Sequence, residues 1–460
     1  MKKVLSLFVF LLLNLLNSFA THNSGGIITY RHISGTTYEA TVITYAISGS
    51  ISDTIGLELY WGDGSMDTIP LVNDTLTSDF IKNIYTGTHT YSSDGSYVLH
   101  VQLENWSSGI INLPNSVNVP FYLETFLVID NSVGNNTSAY PSTEPILSGF
   151  PNEKFSYNPT VYDADGDCLS FELISTLDSN GNNVNGYTIP VGVSIDPING
   201  EFTWDNVSAI GQYAFTIKVN EFRNGILVGY VLINLNIDIA GVHEYQTTFG
   251  SPLWNTDNAS NYVYTLNPND SIQLNVYFAN TPGGGPPMGV KPFGEPFLFQ
   301  NTASFNLINQ NGSFGSYYSI TYSFKWKPEI ARCAPYFVCF RGDQLIGGPK
   351  DLTLMIFVRD QTTTNCDSTC NNILSISETP ETSTFTLFPN PASTTLTIQS
   401  ANTNLQSLKI LNSAGQLVTL SVVEGLQTTI DISHLPTGLY HLLLEDKQGR
   451  VVAKKLVVAR

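Results

Sequence analysis

The sequence predicts an all-β protein: a string of small β-sandwich modules ending in one further small β-sandwich. Three observations carry that prediction. The 460 residues include 25 Phe, 23 Tyr, 36 Gly and 23 Pro, so aromatic strand formers are punctuated throughout by turn formers. Apolar and polar residues alternate along Ile27-Ile28-Thr29-Tyr30, Tyr38-Glu39-Ala40-Thr41-Val42-Ile43 and Tyr97-Val98-Leu99-His100-Val101, the period of a half-buried strand. The dipeptides Asp63-Gly64, Asp94-Gly95 and Asn199-Gly200 separate such runs at hairpin spacing. No stretch beyond the N-terminal segment sustains an amphipathic helical period.

Residues 1–20 read as a signal peptide. Lys2 and Lys3 precede the apolar run Val4 to Leu16, and Ser18 and Ala20 place small residues for cleavage between Ala20 and Thr21. The run falls short of the ~20 apolar residues that span a bilayer. No later segment is long enough either, so no transmembrane segment is expected in the mature chain. Only 13% of residues are charged, 38 acidic against 20 basic, for a net charge of −18. That balance repels phosphate backbones and anionic lipid and excludes nucleic acid as a partner. It is uneven along the chain: residues 21–384 hold 12 basic and 34 acidic residues, net −22, while residues 385–460 hold six and four.

Pairing signals lapse at Asn131 to Thr143, near Ala240 to Glu244, and over Asp360 to Thr384. These breaks give modules at 21–138, 139–242 and 243–376, a linker at 377–384 and a final module at 385–460.

The first module contains Leu59-Tyr60-Trp61-Gly62-Asp63-Gly64-Ser65, then His89-Thr90-Tyr91 followed by Gly95-Ser96-Tyr97-Val98. Both pieces resemble a polycystic-kidney-disease-type (PKD) sandwich, with Leu59 and Trp61 standing at that family's two aromatic positions. The opening Thr21-His22-Asn23-Ser24-Gly25-Gly26 before Ile28-Thr29-Tyr30-Arg31 resembles large surface proteins of Bacteroidetes. The second module contains Asp163-Ala164-Asp165-Gly166-Asp167, Asn199-Gly200-Glu201-Phe202-Thr203-Trp204 and Gly211-Gln212-Tyr213. It resembles a cadherin-like or dystroglycan-type immunoglobulin-like (Ig-like) module. That resemblance implies calcium ligation by Asp163, Asp165 and Asp167 together with Glu221. Three carboxylates within five residues concentrate the hard oxygens calcium requires; a solvated acid-rich turn is the alternative reading.

Phe202-Thr203-Trp204 followed by Tyr213-Ala214-Phe215 is matched by Phe324-Lys325-Trp326 followed by Tyr336-Phe337-Val338. The repeat predicts a second Ig-like module, each copy having a buried Trp that faces a Tyr-anchored strand. The last module has Leu387-Phe388-Pro389-Asn390-Pro391-Ala392, Ser413-Ala414-Gly415-Gln416, Leu435-Pro436-Thr437-Gly438-Leu439-Tyr440 and Lys454-Lys455-Leu456-Val457-Val458. It resembles a type A C-terminal sorting domain of the Bacteroidetes type IX secretion system. The resemblance makes Pro389, Asn390, Pro391, Gly415, Leu435, Pro436, Gly438, Tyr440, Lys454 and Lys455 the sorting signal. It also implies the type IX machinery as partner, removal of the tail within Asp360 to Thr384, and a secreted or cell-surface passenger.

Five cysteines include two close pairs, Cys333 with Cys339 and Cys366 with Cys370, either of which can bridge in an oxidising compartment; four cysteines allow three connectivities. Cys168 stands apart and reads as a small buried hydrophobe. Seven histidines are scattered, and no zinc-protease, nucleophile-elbow, phosphate-loop or dinucleotide signature occurs. Arg341-Gly342-Asp343 is an integrin-type tripeptide read as an ordinary post-strand turn. The sequence therefore predicts a non-catalytic adhesion or binding protein with no cofactor other than calcium. The alternative is a carbohydrate- or enzyme-binding accessory protein of a secreted hydrolase system; the partner is a surface protein or a glycan.

Overall fold

The computed structural model describes residues 23–360 and 385–458, apart from 48–54, 77–79, 153, 206, 208, 240–252, 257–262, 280–288, 299–301, 315–316, 344–349, 389–391, 401–404, 413–416, 437 and 447–450. The signal peptide with Ala20 and Thr21, the linker, Cys366, Cys370, Pro389, Asn390, Pro391 and Gly415 lie outside the described residues. The chain forms two compact units, residues 1–373 and 374–460. It is all-β: the described residues contain 3-10 turns at Ser116–Asn118 and Glu295–Phe297 and no α-helix.

Seven strands build the first module: β1 (Asn23–Ser34), β2 (Thr37–Ile47), β3 (Gly56–Tyr60), β4 (Met66–Leu76), β5 (Phe80–Thr90), β6 (Gly95–Asn105) and β7 (Pro120–Ile129). They are hydrogen-bonded in the order β1-β2-β5-β4-β3-β6-β7. Alternate side chains close inward, with Ile28, Tyr38, Val42, Leu59, Trp61, Leu99 and Phe121 fully buried. The PKD-like turn is glycine by necessity at Gly62. Its φ is +87°, and a Cβ there would sit 2.7 Å from the backbone of Val98.

The second module contributes β8 (Tyr140–Pro141), β9 (Ser148–Gly149), β10 (Phe155–Tyr157), β11 (Val161–Tyr162), β12 (Cys168–Ile174), β13 (Val193–Ile195), β14 (Phe202–Trp204), β15 (Gly211–Arg223) and β16 (Ile226–Ile239). Here the expected boundary is corrected. The long strand β16 pairs β15 along one edge. Its other edge takes β7 at Gly229–Val231 and β1 at Asn234 and Leu235. One 11-stranded sheet therefore crosses residue 138, and the path β1-β2-β5-β4-β3-β6-β7-β16 closes back on β1. The segment read as a polar break is buried at Asn136, Ser138 and Thr143. Its polarity is satisfied inside: Tyr30 and Ser138 exchange hydrogen bonds, the Tyr30 amide donating to Ser138 Oγ and the Ser138 amide to the Tyr30 carbonyl, both 2.8 Å.

The third module packs two four-stranded sheets. They use β17 (Leu253–Thr256), β18 (Val263–Leu266), β19 (Ile272–Ala279), β20 (Gly289–Phe293), β21 (Ser304–Phe314), β22 (Tyr317–Trp326), β23 (Tyr336–Asp343) and β24 (Lys350–Val358). The orders are β17-β19-β22-β21 and β18-β24-β23-β20. The repeat has a structural counterpart. Trp204 meets Tyr213 edge to face at 4.7 Å and 79°, and Trp326 meets Tyr336 at 5.0 Å and 72°.

The C-terminal unit is a small sandwich of β25 (Phe385–Phe388), β26 (Thr395–Ser400), β27 (Leu405–Asn412), β28 (Leu417–Gly425), β29 (Gln427–Asp431), β30 (Gly438–Asp446) and β31 (Val451–Val458). Leu435 and Tyr440 join its core beside Leu396, Leu408, Ile432 and Leu456. The Tyr440 hydroxyl donates to the Pro436 carbonyl at 2.9 Å, so this part of the sorting signal builds the fold that carries it.

Two cysteine expectations are corrected. Cys339 is a free, buried thiol, so it does not bridge to Cys333. It lies on β23 with its side chain in the interior, and burial pushes its pKa up. Cys168, read as unpaired, is disulfide-bonded, as is Cys333. Arg341 of the integrin-type tripeptide is buried and paired with Asp351, and the tripeptide lies within β23, which corrects its reading as a turn after the strand.

Candidate functional site

The acidic turn falls between β11 and β12. Gly166, at φ +80°, lets the chain reverse, and one oxygen of Asp163 accepts the amides of Asp165 and Asp167, both at 2.9 Å. These bonds wrap the turn around the Asp163 carboxylate, and Cys168 anchors its far end through a disulfide. Across the sheet, a register shift in the β15–β16 pairing between Glu221 and Phe222 alters the local course of the strand. Opposite Glu221 stands Gly229, where a Cβ would lie 2.3 Å from the Tyr30 hydroxyl.

Asp163, Asp167 and Glu221 converge, each offering an oxygen within 4.8 Å of the others. All three are buried, at 3%, 4% and 0% exposure. Glu221 accepts the Ala139 amide at 3.0 Å and the Asn136 side-chain amide at 2.7 Å. Asn136 also donates to the Tyr30 hydroxyl at 2.9 Å. Asp167 takes a two-pronged pair from Arg223, whose Nε and Nη2 donate at 2.7 Å each. Asp163 Oδ2 is buried with no hydrogen-bond partner.

Asp165 does not join the cluster, which corrects its expected role. Its side chain is 32% exposed; it accepts the Thr137 amide at 2.6 Å and sits 3.3 Å from Arg223. In sequence the three aspartates look equivalent; the turn points two inward and one outward.

Electrostatics follow the geometry. Burial, then the neighbouring Asp167 carboxylate, raises the pKa of Asp163 to about 7. Burial and Asp163 push Glu221 well above the carboxylate range. Three buried carboxylates face one guanidinium, leaving an excess of buried negative charge that calls for a cation or protons. The residues present fit a hard cation: the donors are carboxylate oxygens, and one of them has no other partner.

Sequence reasoning missed Arg223, Asn136 and Tyr30. The Gly134-Asn135-Asn136 run, inside the segment where pairing signals lapse, is the signal that points to Asn136. A Ser-His-Asp grouping also occurs at Ser65, His89 and Asp63. Both Asp63 and Ser65 address the same nitrogen, His89 Nε2, at 2.8 and 3.5 Å. A relay needs the two ring nitrogens to serve different partners. Against burial, which would raise it, the Ser65 hydroxyl and amide and His89 hold Asp63 at about 2.

Residues 386–459 match the family of secretion system C-terminal sorting domains. This match at the C-terminus indicates export by type IX secretion, to the medium or to the cell surface. Among curated protein sequences none matches this chain. Solved structures to which the chain is similar include the Bacteroides ovatus mixed-linkage glucan utilization locus protein SGBP-B, in complex with a mixed-linkage heptasaccharide. It is 12% identical, with 68% of this chain and 65% of that chain covered and a TM-score of 0.14. Domains 3–5 of Drosophila OTK are 11% identical over 70% of this chain and 92% of theirs, with a TM-score of 0.16. Latent PorU from Porphyromonas gingivalis is 12% identical over 86% and 43%, with a TM-score of 0.21. This chain thus spans just under two thirds of the SGBP-B chain. Among the described residues no helix is long and apolar enough to cross a membrane.

Proposed function

We propose that the chain is a non-catalytic binding protein delivered by type IX secretion, with a passenger held rigid at its first junction by a bound calcium ion. The observation that supports this is Asp163 Oδ2, a buried carboxylate oxygen with no partner, aimed among the carboxylates of Asp167 and Glu221. Asp163, Asp167 and Glu221 would hold the ion, which supplies a counter-charge and no chemistry. Asn136 and Tyr30 tie the site to the first module, so the ion acts as a pin between strands of two modules. On this reading the passenger is a scaffold that presents its loops to a surface protein or a glycan.

Titration of calcium into chelator-treated protein tests the ion. One site per chain is expected, with a melting midpoint that rises with calcium by mass action. Glu221→Gln should abolish that rise. Identical midpoints in calcium and in chelator would remove the ion from the reading. Delivery is tested separately: a strain lacking residues 385–460 should retain the passenger in the periplasm with signal-peptide cleavage intact.

A further inference from the structure

The third module has a concave feature that the carboxylate site does not use. At the end of β19 and β22 lies a cavity of about 640 Å³, within the ~300–1,000 Å³ of small-ligand sites. Gln273 stands opposite Lys325, and Ile272 opposite Trp326, in the pairing of these strands. Ser271, Gln273 and Thr302 bring hydroxyl and amide groups and Lys325 and Lys327 bring ammonium groups, while the Trp326 ring between the two lysines turns into the core against Tyr336.

Charge gives this cavity its meaning. Seven basic side chains of the passenger sit in ion pairs with carboxylates among the described residues. Lys350 and Arg359 are placed on backbone carbonyls. The side chains of Lys325 and Lys327 have no hydrogen bond or ion pair among the described residues, and both residues are exposed. In a passenger of net charge −22, two unpartnered ammonium groups at one cavity form a local site for an anion.

We infer that this cavity binds a carboxylate-bearing sugar residue of an acidic glycan, an inference that rests on the glycan form of the function above. The two lysines meet the carboxylate. Ser271, Gln273 and Thr302 both donate and accept, as sugar hydroxyls require. Glu329 on the lining accepts from hydroxyls and disfavours an anion that has none. The volume exceeds what a lone phosphate fills.

Calorimetric titration of the full chain with oligogalacturonate, a neutral gluco-oligosaccharide, an oligo-aspartate peptide and inorganic phosphate tests the assignment. Oligogalacturonate should bind, more weakly as salt rises. Affinity should fall about tenfold in K325Q/K327Q, the sum of two exposed ion pairs. Both lysines are exposed, so the variant's melting midpoint should match the parent's. Neutral oligosaccharide binding as tightly, with no response to K325Q/K327Q, would overturn the acidic assignment and leave the glycan reading standing. Oligo-aspartate or phosphate binding as tightly would overturn the sugar assignment. Failure of both glycans to bind would overturn the glycan reading along with it.

Discussion

The two junctions inside the passenger are built from different materials. Between the first and second modules the link is main chain: β16 carries β7 and β1 side by side on one edge. Between the second and third it is a buried ion pair of the third module whose further bonds reach second-module backbone at Glu144 and Asn158. Arg341 donates through Nε and Nη2 to the two oxygens of Asp351 at 2.8 and 2.9 Å, and through Nη1 to the Glu144 carbonyl at 2.6 Å. Asp351 also accepts the Asn158 amide at 3.0 Å. A backbone ladder is indifferent to side-chain chemistry but demands close approach. A buried ion pair demands both partners. The two junctions should therefore fail to different substitutions.

The largest effect is expected at the charged junction. Asp351→Ala leaves Arg341 buried without its counter-ion and the Asn158 amide without its acceptor. A loss of about 3–5 kcal/mol is expected in denaturant unfolding. The double variant R341M/D351L removes both charges and should recover most of that loss, because an apolar pair pays no desolvation penalty. A double variant as unstable as the single one would show that the junction depends on the Glu144 and Asn158 bonds instead.

At the backbone junction the sensitive position is Gly26. A Cβ there would meet Leu123 Cδ1 at 2.8 Å and the Ile43 carbonyl at 3.1 Å. Gly26→Val should cost about 1–3 kcal/mol by overpacking. Because β1 and β7 share β16, the first two modules should lose stability together in a single transition. Separate transitions for residues 23–138 and 139–239 would contradict the shared sheet.

How much of this was legible in the sequence depended on the separation of the interacting groups. Strands, turns and the Trp–Tyr repeat are local, and alternation and turn dipeptides reported them. The Asp163–Asp167 turn was legible for the same reason. Its Asn136 partner was not: Asn136 meets Glu221 across 85 residues, and only the path of β16 brings the two together. Cys333 and Cys339 erred in the opposite direction. Nearness in sequence suggested a bridge, but Cys339 turns into the core from β23 while Cys333 precedes the strand. The boundary at 138 failed because a run of Asn, Ser and Thr looks solvated in sequence. Here those groups are buried acceptors and donors.

The smallest expected effect concerns a feature shared on both sides of these junctions. Tyr97 and Tyr213 each follow a Gly-x pair and donate to the carbonyl four residues upstream, Ser93 at 2.9 Å and Ala209 at 3.2 Å. In the third module Tyr336 reaches the Ile330 carbonyl at 2.9 Å. These are tyrosine corners, which fix the chain as it enters a strand. Substitution by Phe keeps the ring and its stacking and removes only the hydroxyl. Tyr213→Phe and Tyr336→Phe should each cost about 0.5–1.5 kcal/mol, since their hydrogen bonds are partly buried. At Tyr97 the bond is exposed, so water can take the place of the hydroxyl and the cost should be smaller. Chemical denaturation of the three variants ranks them. A Tyr97→Phe cost equal to the other two would mean that chain geometry, and not shielding from water, sets the strength of the corner.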